Sequence, residues 1–109
     1  MSKQTRLKPD DRRELIVITA LALAQGKSYI KVTRNEIAEA LGISGPAVQH
    51  HFGTMKQLQR SVMRAACQRA AAPEPCEQAL RVVAQGLADG NSIAKRVSDR
   101  VREAAKAVL

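Results

Sequence analysis

Residues 33–52, TRNEIAEALGISGPAVQHHF, decide the fold. Thr33 and Glu36 stand three apart, as a capping box requires: a hydroxyl for the orphan amides and a carboxylate reaching back. Ile37, Ala38 and Leu41 then share one helical face. Ala38 is small where a second helix would cross closely. Gly42 follows as the residue best able to leave a helix through the left-handed region. Ile43 plugs the turn, Ser44 can cap the next helix, and Pro46 fits its first turn, where no intrahelical amide is needed. Val48 and Phe52, at i and i+4, point back to the core, while Ser44, Gly45, Ala47, Gln49 and His50 face outward.

Two short helices at a steep angle, the second presenting small and hydrogen-bonding side chains, make a helix-turn-helix suited to a DNA major groove. The same pattern also occurs in helical bundles that never touch DNA. Charge supports the nucleic-acid reading. The chain has 109 residues and a formal charge of +8. A basic excess attracts polyanions by releasing their counterions, and equally serves solubility. The apolar residues are aliphatic, with one Phe, one Tyr and no Trp. So thin a core suits a single all-helical domain that completes its burial by dimerising.

Catalytic and metal chemistry find little purchase. Cys67 and Cys76 form no C-x-x-C and have no His at ligand spacing, so reduced thiols are expected. His50 and His51 are adjacent on a helix, about 100° apart, and no third ligand completes a set. Cys67 with a His lacks an orienting third group. The sequence shows no apolar leader, and its longest apolar run, from Leu15 to Ala24, is too short to span a bilayer. The expectation is therefore a soluble, cytoplasmic non-enzyme without cofactor, metal or membrane partner.

In chain order, residues 1–9 form a flexible basic arm carrying Lys3, Arg6 and Lys8, able to follow DNA phosphates or simply to be solvated. A first helix runs from Asp10 to about Gln25, with Leu15, Ile16, Thr19, Ala20 and Leu23 inward, and stops at Gly26. Residues 27–32 are an extended link anchored by Tyr29, Ile30 or Val32. After Gly53, Thr54 and Gln57 repeat the capping-box spacing and start a helix from Met55 to about Ala71. That helix buries Leu58, Val62, Ala65, Ala66 and the stem of Arg69. Ala71 to Pro75 breaks it. Cys76 to Ala88 is a further helix with Leu80, Val83 and Leu87 on one face. A last helical stretch from Asn91 is expected to break near Val97-Ser98, where Ser98 can cap.

The stretches RRELIVITALALAQG and RNEIAEALGISGPAVQHHFGTMKQL resemble the N-terminal DNA-binding domain of TetR-type repressors. The likeness covers about Arg12 to Ala66, with Ile37, Ala38, Gly42, Ile43, Ser44, Val48, His51, Phe52 and Leu58 at matching positions. Two positions depart. Gln49 stands where the family usually has a phosphate-contacting Tyr, and Met55 where it usually has a Lys, with Lys56 one residue later. Such regulators generally continue into a long helical ligand-binding and dimerisation domain. Here fewer than fifty residues follow, so the chain is similar to the short repressors of plasmids or phages, of the KorC kind, and a small-molecule effector is not expected.

The resemblance implies an all-α architecture: a TetR-like helix-turn-helix domain of about four helices over residues 10–72, then two or three short dimerisation helices over 73–109. It implies a repressor that binds double-stranded DNA as a homodimer on a palindromic operator. Ser44, Gly45, Pro46, Ala47, Gln49 and His50 would meet the DNA, His50 at a base or phosphate, with Gln49 making the specific contact. Lys31, Thr33, Arg34, Thr54 and Lys56 would set the register on phosphates. Two other classes compete. An architectural protein that coats DNA would show a steep salt slope and no preferred sequence. A helical interaction adaptor would bind no DNA at moderate salt.

Overall fold

The computed structural model describes residues 9–108, which form six α-helices and two 3-10 turns with no strand among them. The basic arm expected over residues 1–9 lies, apart from Pro9, outside the described residues.

Helix α1 (Pro9–Leu23) is followed by a 3-10 turn (Tyr29–Lys31), then by α2 (Arg34–Leu41) and α3 (Gly45–Phe52). Helices α4 (Met55–Ala70) and α5 (Glu77–Asp89) pack on each other in the most extensive contact of the fold. A second 3-10 turn (Ala94–Arg96) leads to α6 (Asp99–Ala107). The expected break near Val97-Ser98 is present: Val97 is extended, and the Ser98 hydroxyl accepts from the Val101 amide at 3.2 Å to open α6.

One cluster of buried side chains runs from Ile16 on α1 to Ala105 on α6. Its first helix sits in a register different from the expected one. Ile16, Val17, Ala20, Leu21 and Ala24 are buried, whereas Leu15 and Ile18 are 38% and 42% exposed. The reason is that α1 is braced by α2, α3, α4 and α5 together. It therefore buries a broad i, i+1, i+4, i+5 face, and Leu15 and Thr19 fall beyond its edge.

Helix α5 also departs from a one-sided reading. Ala79, Leu80, Val82, Val83, Ala84 and Gly86 are all buried, while Leu87 only lines the core's margin. A helix apolar nearly all round belongs at the centre of a bundle. Gly86 has a steric reason to be there. A Cβ at that position would come within 2.4 Å of Met63 Cε and 2.9 Å of Ala94 Cβ, so the glycine lets α4 and the second 3-10 turn close onto α5. Met63 itself, fully buried on α4, was not among the expected core residues.

The link after α1 is not extended throughout but holds a 3-10 turn at Tyr29–Lys31, capped by the Ser28 hydroxyl, which accepts from the Ile30 amide. Tyr29 and Val32 are the anchors; Ile30 is exposed. The turn is held from α5: Gln85 Oε1 accepts from the Tyr29 amide at 2.9 Å, and Gln85 Nε2 donates to the Ala24 carbonyl at 2.9 Å. Asn91 Nδ2 donates to the Tyr29 hydroxyl at 3.1 Å. Two amide side chains of the C-terminal part thus fix the approach to the helix-turn-helix. Burial raises the Tyr29 pKa, partly opposed by the Asn91 hydrogen bond.

Candidate nucleic-acid interface

The expected capping chemistry is present residue for residue. At the start of α2, the Thr33 hydroxyl accepts from the Glu36 amide at 3.1 Å and Glu36 Oε1 accepts from the Thr33 amide at 2.9 Å. Gly42 ends α2 at φ 69°, and the chain reverses with the Ile43 amide donating to the Ala38 carbonyl at 3.0 Å. A non-glycine residue would meet the left-handed penalty here. Ser44 then caps α3 by accepting from the Ala47 amide at 3.1 Å, and Pro46 follows in the first turn.

Val48 and Phe52 are buried, so the opposite side of α3 is turned outward. On it Ser44, Pro46, Gln49 and His50 are exposed, and Gly45 and Ala47 are half-buried. Gly45 is where the helix pair approaches closely: a Cβ there would lie 3.2 Å from Asn35 Oδ1 and 3.4 Å from Arg34 Nε.

Gln49 is not a free side chain. Arg34 Nη1 donates to its Oε1. Guanidinium groups only donate, so the amide is oriented with oxygen toward α2 and Nε2 outward. That outward NH2 can donate to a base acceptor or a phosphate, and the second lone pair of Oε1 can still accept. Arg34, expected only at phosphates, therefore also aims the side chain expected to read a base. Sequence gave no sign of this pairing, which crosses the turn between two helices.

The C-terminal end of α3 is held by a residue the sequence reading passed over. Arg13 Nη1 donates to the His51 carbonyl, and the Arg13 guanidinium lies 4.5 Å above the Phe52 ring. A cation over an aromatic face adds attraction to the packing of α1 on α3. His51 is half-buried, and its ring meets that of His50 edge-on at 5.6 Å. Burial is the main cause that pushes its pKa down, with the neighbouring His50, Arg12 and Arg13 acting in the same direction. Among the described residues no three His, Cys, Asp or Glu are grouped to hold a metal ion.

The residues expected at phosphates divide into two kinds. Lys31 and Lys56 are exposed, and neither is in an ion pair among the described residues. Thr33 and Thr54 are exposed, but both hydroxyls are engaged inside their helix caps. Thr54 Oγ1 accepts from the Gln57 amide at 3.1 Å, while Gln57 Oε1 accepts from the Thr54 amide at 2.8 Å. What they leave for an anion is the first turn of α4, where Lys56 stands beside unpaired amides. Lys27, the other lysine of the link, is paired with Glu36. That hydrogen bond is the main cause, with the Thr33 amide second, that holds the Glu36 carboxyl below its ordinary range.

The structure thus brings Arg34, Gln49 and the α3 face together, with Lys31 in the 3-10 turn before α2 and Lys56 in the first turn of α4. Comparison with known proteins finds a family that part of the chain resembles. Residues 16–62 match the family described as "Bacterial regulatory proteins, tetR family". No curated protein and no solved structure matches the chain, so the narrower likeness to KorC-type repressors stands without support. The matched span starts in α1 and ends in α4, enclosing the whole motif. That family is one of transcriptional regulators rather than enzymes, and among the described residues no helix is long and apolar enough to cross a membrane. Over residues 16–62 the chain is thus similar to the bacterial regulatory proteins of the tetR family, and the similarity spans the helix-turn-helix.

Proposed function

We propose that the chain is a sequence-specific transcriptional repressor that binds an inverted-repeat operator as a homodimer in the cytoplasm and acts by occupying a promoter. The observation that carries this reading is the outward face of α3. It offers small residues for close approach, Gln49 with its amide aimed by Arg34, and His50 beside it. Gln49 would read a base edge, and the Ala47 methyl would meet a thymine methyl. Ser44, Gly45 and Pro46 would let the start of α3 sit deep. Lys31, Thr33, Arg34, Thr54 and Lys56 would place the domain on the backbone.

A two-fold protein matches a two-fold site, with one α3 in each of two successive major grooves. Residues 73–109 are proposed to supply the subunit contact. The inward faces of α5 and α6 are already used within the chain, so this contact would use their outer surfaces.

Selection of bound sequences from a random duplex library tests the reading at about 150 mM salt, near physiological ionic strength. The expected product is a palindrome with half-sites about one helical turn apart, bound by two chains per duplex. Binding that persists without enrichment and falls steeply with salt would instead mark a DNA-coating protein, the outcome the +8 charge would favour. No DNA binding would leave an interaction adaptor.

A further inference from the structure

Helix α4 carries Lys56, Arg60, Arg64 and Arg69 and no acidic residue. Arg69 is paired with Glu14 on α1. Arg60 and Arg64 are exposed, in no ion pair among the described residues, and line two adjoining open clefts. The larger, about 590 Å³, lies between α4 and the segment leading into α6; Arg96 joins its rim, and Cys67, Ile93, Val97 and Val101 form its floor. The second, about 550 Å³, continues toward the end of α3, where Arg13 and His51 line it. No Asp or Glu lines either cleft.

From Gln57 to Ala71 the two clefts run beside about four turns of α4, roughly 21 Å at about 1.5 Å per residue. That length exceeds a compact small molecule and suits a short helical or extended peptide. The lining states its chemistry. The guanidinium groups of Arg60, Arg64 and Arg96, in no ion pair among the described residues, recognise carboxylates, preferably in bidentate fashion. An apolar floor between them adds nothing for a nucleic-acid backbone and rewards an aliphatic side chain. Residues 1–8, outside the described residues, carry Lys3, Arg6 and Lys8 and no acid, so their composition does not complement the basic rim of this groove.

We propose that the α4 groove docks an acidic, amphipathic segment of a partner protein, its apolar side chains entering the cleft over Cys67 and Val97 and its carboxylates meeting Arg60, Arg64 and Arg96. The groove would give the DNA-bound protein a handle for a second protein, and it does not depend on the DNA reading being correct.

The test is selection from a random 14-residue peptide display library on the full chain. Enriched peptides are expected to combine Asp or Glu with apolar residues at i, i+3 or i+4. Their affinity should fall at least tenfold for the Arg64→Glu/Arg96→Glu variant, and on replacing the peptide's apolar residues by Ala. Both arginines are exposed, so the variant should melt with the wild type. Peptides without acidic enrichment, or binding unchanged by the double reversal, would overturn the proposal. So would a double reversal that weakens duplex binding as much as peptide binding, since the groove would then follow the DNA backbone.

Discussion

Replacing Gln85 by Ala removes one side chain and two contacts that join α5 to the approach of the helix-turn-helix. The Tyr29 amide loses its acceptor and the Ala24 carbonyl loses a donor, both at 2.9 Å. A neutral hydrogen bond contributes about 1 kcal/mol net, and a buried donor left unpaired costs more than the bond itself. Tyr29 is only 5% exposed, which keeps water from substituting freely at its amide. The loss should therefore be about 2–3 kcal/mol, a large part of the stability of a small domain. In urea, with a slope of about 2 kcal/mol per molar, the midpoint should fall by roughly 1 M with the slope unchanged. Amide exchange supplies the local readout: Tyr29 and Lys31 should lose protection beyond the global change, because the 3-10 turn is released from α5. A destabilisation under about 0.5 kcal/mol, or exchange at Tyr29 that follows only the global change, would refute the argument that Gln85 latches the two parts together.

Other consequences concern packing, charge and thiols. Gly86→Ala places a methyl against Met63 and Ala94 in a filled core and should cost about 1–3 kcal/mol by overpacking, read as a lower urea midpoint. Glu36 is held below the ordinary 4.5 by Lys27 and the Thr33 amide. Its folded pKa is depressed, so its contribution is complete above pH 4.5 and is lost as pH falls through the folded value; Glu36→Gln should flatten that part of the acid limb of a stability profile. Burial pushes the half-buried Cys67 thiol up, whereas Cys76 is exposed. Under native conditions a disulfide reagent should label Cys76 quickly and Cys67 only slowly, and equal rates would contradict the packing described for α4.

The motif was legible because its information is local. Thr33 with Glu36, Gly42, Ser44 with Pro46, and Thr54 with Gln57 each satisfy backbone groups within a few residues, so spacing alone identifies them. The inward face of α3 followed from Val48 and Phe52 for the same reason. What escaped was decided by contacts distant in sequence. Arg13 reaches Phe52 and His51, Gln85 reaches Ala24 and Tyr29, and Gly86 is required by Met63 and Ala94. Periodicity marks α1 as amphipathic, yet an apolar run from Leu15 to Ala24 permits more than one register. Four surrounding helices select the one seen. The basic stripe of α4 was not singled out from the sequence, and that Arg96 joins it across a cleft needed the fold.

The central claim is that the outer face of α3 reads DNA sequence while the residues around it only hold the backbone. Comparing binding-site preferences and salt slopes of the wild type, Gln49→Ala and Lys56→Ala tests it most directly. Gln49→Ala should relax the preference at one base pair of each half-site, at a cost of about 1–3 kcal/mol for the preferred sequence. Lys56→Ala should weaken all sequences alike and lower the salt slope by about 1 per chain. Unchanged base preference in Gln49→Ala, or sequence-dependent loss in Lys56→Ala alone, would contradict the assignment of reading to α3.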